Sequence, residues 1–502
     1  MHKITALLLA LLLIAACSNP QVPTDYNKSD RLPDIYPDYA GVTIPVNIAP
    51  LHFQLMGDWA DEDVITRFST PNAEDIVCQG RKARPALQEW RQLAGAAKGG
   101  NITVEVFTHN GERWTRLRPF TITVSPDSID PWLSYRLISP SYVAFEELTI
   151  NQRNLESFDE RIIYSNMFCT TESEGQCINC HSYQQGNPDR MQMHARLNHG
   201  GTLIMMDGKP TKVNLKTDST ISAGVYPAWH PTLPVIAYST NNTLQMFHTL
   251  DVNKVEVLDA QSDLILYDIQ NNQVSIVENR ADEFEVFPSW SPDGRWLYYS
   301  SAHFEPQDSL GDGAEAVAIR RYKDIKYNIY RKSFDPTTLT FGSRELVFDA
   351  AALGFSATLP RVSPDGRWLL VTVGEWGCFH IWHRDADLWL VNLITSEAQP
   401  WKEVNSDNVE SYHTWSRSGR WVVFSSRRYD GNYTRPFFAH VDSDGHASKP
   451  FELPCDDPDQ HRQMMKSYNI PEFMTAPVTT TPQEIADALK AESKQAILKK
   501  QH

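Results

Sequence analysis

Most of the chain consists of short apolar runs cut by turn-forming residues. Leu297-Tyr-Tyr-Ser-Ser301, Val422-Val-Phe-Ser-Ser426, Asp263-Leu-Ile-Leu-Tyr-Asp268 and Asp387-Leu-Trp-Leu-Val-Asn392 are alternating or continuous apolar stretches. Runs of this length and composition, bounded by Gly, Pro, Asp or Asn, predict strands. Ile102-Thr-Val-Glu-Val-Phe-Thr108, then Asn110-Gly111, then residues 114–124, predicts a hairpin, because Asn-Gly suits a tight turn. Helical spacing appears twice. Leu87, Trp90 and Leu93 follow Pro85 and precede Gly99-Gly100, a start and stop pattern for one short helix. Residues 481–500, with Pro482 near their start, predict a terminal helix outside the body of strands. Residues 43–130 therefore predict a small β-rich domain with one helix, and residues 461–502 a C-terminal tail.

Composition narrows the classes. In 502 residues, Lys plus Arg number 46 against 62 for Asp plus Glu, a net charge of −16, which argues against a nucleic-acid binder. The 41% hydrophobic and 22% charged content excludes general disorder, and the length predicts two to four domains. Met-His-Lys followed by apolar or small residues 4–16 predicts a signal peptide over 1–16, too short to span a bilayer. Ile14-Ala-Ala-Cys17 resembles the lipobox of bacterial lipoproteins, which implies acylation of Cys17 and attachment to a membrane. Ser18, rather than Asp, implies sorting to the outer membrane; an ordinary secretory peptide stays open as the alternative. Residues 17–42, rich in Pro, Asp, Asn and Tyr, predict a lipidated tether.

The second half contains a repeat: Tyr226-Pro-Ala-Trp229-His-Pro-Thr, Phe287-Pro-Ser-Trp290-Ser-Pro-Asp-Gly294-Arg-Trp296, Leu359-Pro-Arg-Val362-Ser-Pro-Asp-Gly366-Arg-Trp368 and Tyr412-His-Thr-Trp415-Ser-Arg-Ser-Gly419-Arg-Trp421. Each is a strand, a turn in which Gly can take positive φ, and a return strand. These copies resemble the repeats of TolB-like β-propellers. The resemblance implies an all-β, six-bladed propeller over 131–460, with blades not visible as repeats supplied near residues 135–150 and 201–215. The acidic residues 308–315 form a loop between copies.

Cys177-Ile-Asn-Cys180-His181 fits the signature of covalent c-type haem attachment. Two thiols three residues apart can reach the vinyl groups of one porphyrin, and the adjoining His can ligate the iron. Chance placement would give about 0.003 such motifs in a chain of this composition. His181 is then the proximal iron ligand and His194 the favoured distal one, with Met191, Met193, His199, Met205 and Met206 as other candidates. Residues 166–200 are too few for a free-standing cytochrome domain, which predicts a haem segment inserted against the propeller. Two alternatives stay open: a Cys177–Cys180 disulfide, or a structural zinc held by Cys169, Cys177, Cys180 and a His.

His230, His380, His383 and His413 lie near the repeat strands and could line one face as a ligand or metal site. Asp442-Ser-Asp-Gly445 matches no Ca²⁺-loop spacing and reads as a solvated turn. No Gly-x-Ser-x-Gly elbow, Gly-x-x-x-x-Gly-Lys loop or Gly-x-Gly-x-x-Gly turn occurs, which removes propeller-linked serine hydrolases and ordinary nucleotide enzymes. The whole chain resembles Bacteroidetes-type lipoproteins that join a Cys-x-x-Cys-His segment to TolB-like repeats. The expected function is a lipid-anchored monohaem c-type protein of the cell envelope, its propeller docking a redox or protein partner for electron transfer or redox sensing. The alternatives are a non-redox TolB-like binding scaffold, and a haem enzyme with an open iron site; nothing in the sequence names a substrate.

Overall fold

The computed structural model of the chain describes residues 20–139, 142–171, 174–305 and 311–499. The signal segment, Cys17 and part of the 308–315 loop lie outside the described residues. Two compact units divide the chain: Met1–Pro126 with Pro454–Gln463, and Asp127–Leu453 with Met464–His502.

In the first unit a seven-stranded sheet is built around Asn101–His109. The helix Leu87–Ala96 buries Trp90, Leu93 and Ala94, and the Trp90 ring meets Phe68 edge-on at 6.1 Å. The helix stops as expected, with Gly99 at φ 76°. The domain begins earlier than residue 43. Tyr26–Lys28 joins the sheet edge in parallel with Trp114–Arg116, and Ile35–Tyr36 pairs with Phe53–Leu55. Most of the expected tether is therefore folded. Pro454–Gln463, expected at the join of propeller and tail, belongs here too, held by Lys82–Asp457 (2.7 Å) and Arg84–Asp456 (2.9 Å).

The second unit is a six-bladed β-propeller. From the axis outward, blade 1 is Ser467–Met474, Trp132–Ile138, Thr149–Asn154 and Glu160–Ser165; blade 2 is Gln176–Gln184, Asn187–Leu197, Gly201–Met206 and Lys209–Asn214. Blade 3 is Val225–Trp229, Val235–Phe247, Val255–Asp268 and Gln273–Glu278; blade 4 is Glu283–Trp290, Trp296–His303, Asn328–Asp335 and Thr340–Phe348. Blade 5 is Ser356–Val362, Trp368–Gly374, Asp387–Asn392 and Ala398–Pro400; blade 6 is Glu410–Trp415, Trp421–Ser426, Arg435–His440 and Phe451–Glu452. The innermost strands pack one on the next and close the ring.

Each strand is sandwiched between neighbouring blades, so both of its faces are apolar, which is why the runs read as continuous. Leu297 and Tyr299 pack toward blade 3, and Tyr298, between them, packs toward blade 5. The repeat tryptophans staple blade to blade: the indole N–H of Trp229 donates to Ser182 O, that of Trp290 to Ala228 O and that of Trp415 to Arg361 O. In the Ser-Pro-Asp-Gly turn, Ser291 Oγ accepts from Trp296 N and Asp293 Oδ1 accepts from Arg295 N, both at 3.0 Å. In blade 6 the Ser418 hydroxyl replaces the Asp carboxylate, accepting from Arg420 N at 3.2 Å. Blade 3 lacks the Gly and uses His230 instead, whose Nδ1 accepts from Thr232 N and Leu233 N.

The tail is not outside the propeller. Ser467–Met474 is the innermost strand of blade 1, so the two ends of the propeller sequence share one sheet. The helix Pro482–Lys490, capped by Thr481 and Glu484, buries Ile485, Ala486 and Leu489 in the apolar layer between blades 1 and 2.

Candidate ligand site at the channel mouth

All six innermost strands carry the same bulge. Cys180, Tyr226, Phe287, Leu359, Tyr412 and Ile470 sit at φ between 45° and 56°. At each, two residues oppose one on the neighbouring strand. The second bulge residue is Pro227, Pro288, Pro360 and Pro471 in four blades, and His181 and His413 in the others. Proline suits a bulge, where the backbone N–H has no ladder partner. The left-handed conformation costs a non-glycine residue about 1–3 kcal/mol, which the closed ring imposes six times. The six bulged side chains line a cavity of about 190 Å³, and Cys180, Tyr226, Tyr412 and Ile470 also line a second one, of about 380 Å³. They form the partition between two ends of the channel.

Cys180-His181 is thus the second blade's version of an aromatic–proline pair. Residues 166–200 are not an insertion; they contribute the first two strands of a blade. Cys177 opens on the larger cavity, His181 on the smaller, and Cys180 on both. Thioether and iron ligands of one haem need a common space, and these three residues do not share one. His181 is fully buried with its pKa pushed to about 3, by burial and then by Arg136, so its imidazole is neutral. His194 lies opposite Asn179 on the next strand, its Nδ1 3.2 Å from Thr202 Oγ1; burial, then Arg196, lower its pKa to about 4. His194 lines neither cavity, so as the side chains stand no one described space takes both thiols and both histidines of a covalent haem. Protein purified from cells competent in haem maturation is expected to show no Soret band and no added haem mass on denaturation; either signal would refute this assignment.

The alternatives fare no better. Cys177 and Cys180 are free thiols, as are Cys78, Cys169, Cys378 and Cys455. Among the described residues Cys169, Cys177 and Cys180 do not gather with a His at metal-ligand spacing. The group that does, Asp282, Glu283 and His303, has Glu283 already paired with Arg280 and Arg344. Of the repeat histidines only His380 and His383 are neighbours, their rings 5.5 Å apart, and each has its own partner: His230 Nε2 meets Gly294 O, His380 meets Thr358 Oγ1 and Trp376 O, His383 Nε2 meets Glu256, and His413 Nε2 meets Leu370 O. Asp442 Oδ1 caps its own turn through Asp444 N and His446 N.

The larger cavity has features the repeat does not require. Its roof is an outgrowth of blade 3. The innermost strand of that blade pairs only as far as Ser239, but the hairpin Val235–Phe247 and Val255–Asp268 runs on beyond it. The tip reaches the far side of the ring. Glu256 takes a hydrogen bond from Trp376 Nε1 (2.9 Å) and faces His383 Nε2 (3.1 Å), and Asn253 Oδ1 accepts from Arg384 N. Phe247, Val252 and Val255 share a further cavity with Asn408, Val409 and Arg427 around blade 6. The hairpin therefore crosses the channel mouth. At its root Asp259 is held by Asn241 Nδ2 (2.9 Å) and Thr243 Oγ1 (3.1 Å), and burial still raises its pKa to about 7.

Beneath this roof Thr243, Gln245 and Val257 of the hairpin face Arg136, Cys177, Asn179 and Arg196, with Tyr226, Tyr412, Phe145 and Phe379 completing the wall. Burial raises the Cys177 thiol above its usual value, against the weaker lowering effects of the Asn179 hydrogen bond, Arg136 and Arg196. The sequence reading missed Arg136, Asn179, Arg196 and the hairpin. Only the exceptional length of the 235–268 run signals the outgrowth; the arginines carry no motif.

No protein family matches the chain, and no curated protein does. Among solved structures it is similar to an oligogalacturonate lyase in complex with manganese, at 11% identity over 65% of this chain and 74% of that one, with a TM-score of 0.36. A Synechocystis apocarotenoid oxygenase mutant is similar at 11% identity over 88% and 97%, TM-score 0.36. A prolyl endopeptidase is similar at 12% identity over 79% and 42%, TM-score 0.33.

Proposed function

We propose that this protein is a non-redox binding propeller of the cell envelope, tethered through Cys17, which takes a small ligand into the channel mouth beneath the blade-3 hairpin. The signal-like N-terminus and the lipobox support the location. The observation that carries the binding role is the hairpin: it leaves its own blade, crosses the ring and overhangs a half-open cavity of about 380 Å³, within the range of small-molecule sites. A scaffold without a ligand has no need of this outgrowth, since the blades close without it.

Thermal unfolding with a panel of small aromatic and aliphatic acids and their neutral amides tests this. At least one compound is expected to raise the Tm of the intact protein in a concentration-dependent way. None is expected to do so once residues 244–258 are replaced by Asn-Gly, which closes a short hairpin on the Thr243–Asp259 pair. An equal response from the shortened protein, or no response from the intact one, would rule out this reading.

A further inference from the structure

Arg136 projects from the second strand of blade 1 and is 5% exposed. One guanidinium nitrogen, Nη1, donates to Asn179 Oδ1 of blade 2, and Nε is buried with no partner among the described residues. No described carboxylate lies within ion-pairing distance of it. This is unusual in a chain of net charge −16, where an acidic neighbour is the default. Buried charges are ordinarily paired, because removing them from water is costly unless an opposite charge answers. Arg136 also lines the roofed cavity, where Arg196 adds a second, exposed cation and the remaining wall is largely aromatic or aliphatic.

We infer that the ligand of the channel mouth is a small monocarboxylate with an aromatic or aliphatic body, its carboxylate received by the guanidinium of Arg136. This rests on the proposed binding role and names its chemistry. With Nη1 held by Asn179 and Nε buried, Nη2 is the guanidinium nitrogen left to donate a charge-assisted hydrogen bond to a carboxylate in the cavity. Asn179 orients the guanidinium and is itself fixed on the bulged strand, where its Nδ2 donates to Cys177 Sγ at 2.8 Å. The body of the ligand lies against Tyr226, Phe379 and Val257, with Arg196 at the open side.

The test is calorimetric titration and thermal unfolding of the full exported chain with benzoate, phenylacetate and hexanoate, each beside its neutral amide. Carboxylates are expected to bind and the amides not. Arg136→Met should weaken carboxylate binding by roughly 10- to 100-fold, the range of a charge-assisted hydrogen-bonded pair. The same variant should raise the Tm of the ligand-free protein, since it removes an unanswered buried charge. Arg136→Lys, which keeps the charge but loses the fork, should recover only part of the affinity. Amides binding as well as acids, with both lost in the hairpin-shortened protein, would overturn the anion assignment and leave the binding role standing. Acids binding equally to the shortened protein would overturn both. An Arg136→Met protein that is less stable and still binds carboxylates would show that Arg136 serves only the blade 1–blade 2 contact.

Discussion

A chain ending at residue 465 is expected not to form the propeller, whereas one ending at residue 480 should fold with reduced stability. The short form lacks Ser467–Met474, the strand nearest the axis in blade 1. With it go Tyr468, Phe473 and Met474, all at most 4% exposed, and the ring partner of blades 6 and 2. Removing a large core side chain costs about 3–5 kcal/mol, so three approach the entire stability of an ordinary domain, about 5–15 kcal/mol. The loss also leaves the ladder edge of Trp132–Ile138 unpaired. The form ending at 480 keeps the closure and loses the helix Pro482–Lys490, whose buried Ile485 and Leu489 contribute about 1.5–3 kcal/mol each. Circular dichroism melts and size exclusion separate the two. A cooperative, monomeric melt from the chain ending at 465 would show that the ring does not depend on this strand.

Stability is expected to fall as pH rises above about 6.5. Burial raises several carboxyls well above their ordinary values: Asp263 to about 6, Asp259 and Asp387 to about 7, Glu472 to about 8 and Glu285 to about 9. Weaker opposing effects come from Asn241 and Thr243 at Asp259, and from Tyr183 N and Arg361 at Glu472. In the folded state these groups hold protons that the unfolded chain has already released. Folding therefore binds protons, and stability declines with pH from the unfolded carboxyl value up to each folded value. Buried histidines act in the opposite direction, but only at lower pH. His181, His380 and His413 are pushed to about 3 and His194 to about 4, so their penalty appears as pH drops below 6.5, where the unfolded chain takes up protons that the folded state refuses. Between about 4.5 and 6.5 the two sets offset each other. Above 6.5 the unfolded histidines lose their remaining protons, which offsets part of the carboxyl effect up to about pH 7.5, and beyond that the carboxyls act alone. At about 1.4 kcal/mol per group per pH unit, less the residual histidine contribution, the loss from pH 6.5 to 8 is on the order of 2–4 kcal/mol. Glu285→Gln should remove part of the slope, since Glu285 Oε2 has no partner to lose. A Tm that is level or rising over this range would refute the assignment of these carboxyls.

Much of the architecture could be read from residues in order. The Trp-Ser-Pro-Asp-Gly copies located four blades, because the turn chemistry and the indole staple are local properties of ten or so consecutive residues. The substitutions noted in the copies have visible consequences: Ser418 keeps the Asp293-type cap with a hydroxyl, and Val362 has no side-chain N–H to donate where Trp290 has its indole. Extending the same register would have disclosed the remaining blades. Cys180-His-Ser-Tyr183 and Ile470-Pro-Glu-Phe473 align with Tyr226-Pro-Ala-Trp229, the bulge first and the aromatic residue three places on. Read that way, Cys177 to His181 is a strand with a repeat bulge as well as a haem-type spacing, and the two readings need different geometries. A spacing motif specifies which residues lie close along the chain; it does not specify which way their side chains point on a bulged strand.

By itself the sequence determined the all-β class, the turns and staples of the repeat, the short helix of the first unit and the acidic balance, because each follows from neighbours in the chain. Only the tertiary structure decided the closing of the ring by a strand more than 300 residues from its partners. It also decided the separation of Cys177 from His181 across the partition, and the meeting of Arg136, Asn179 and Arg196 under a hairpin from another blade. These depend on which strands become neighbours once the ring closes, and residues that meet across blades carry no periodic or spacing signal along the chain.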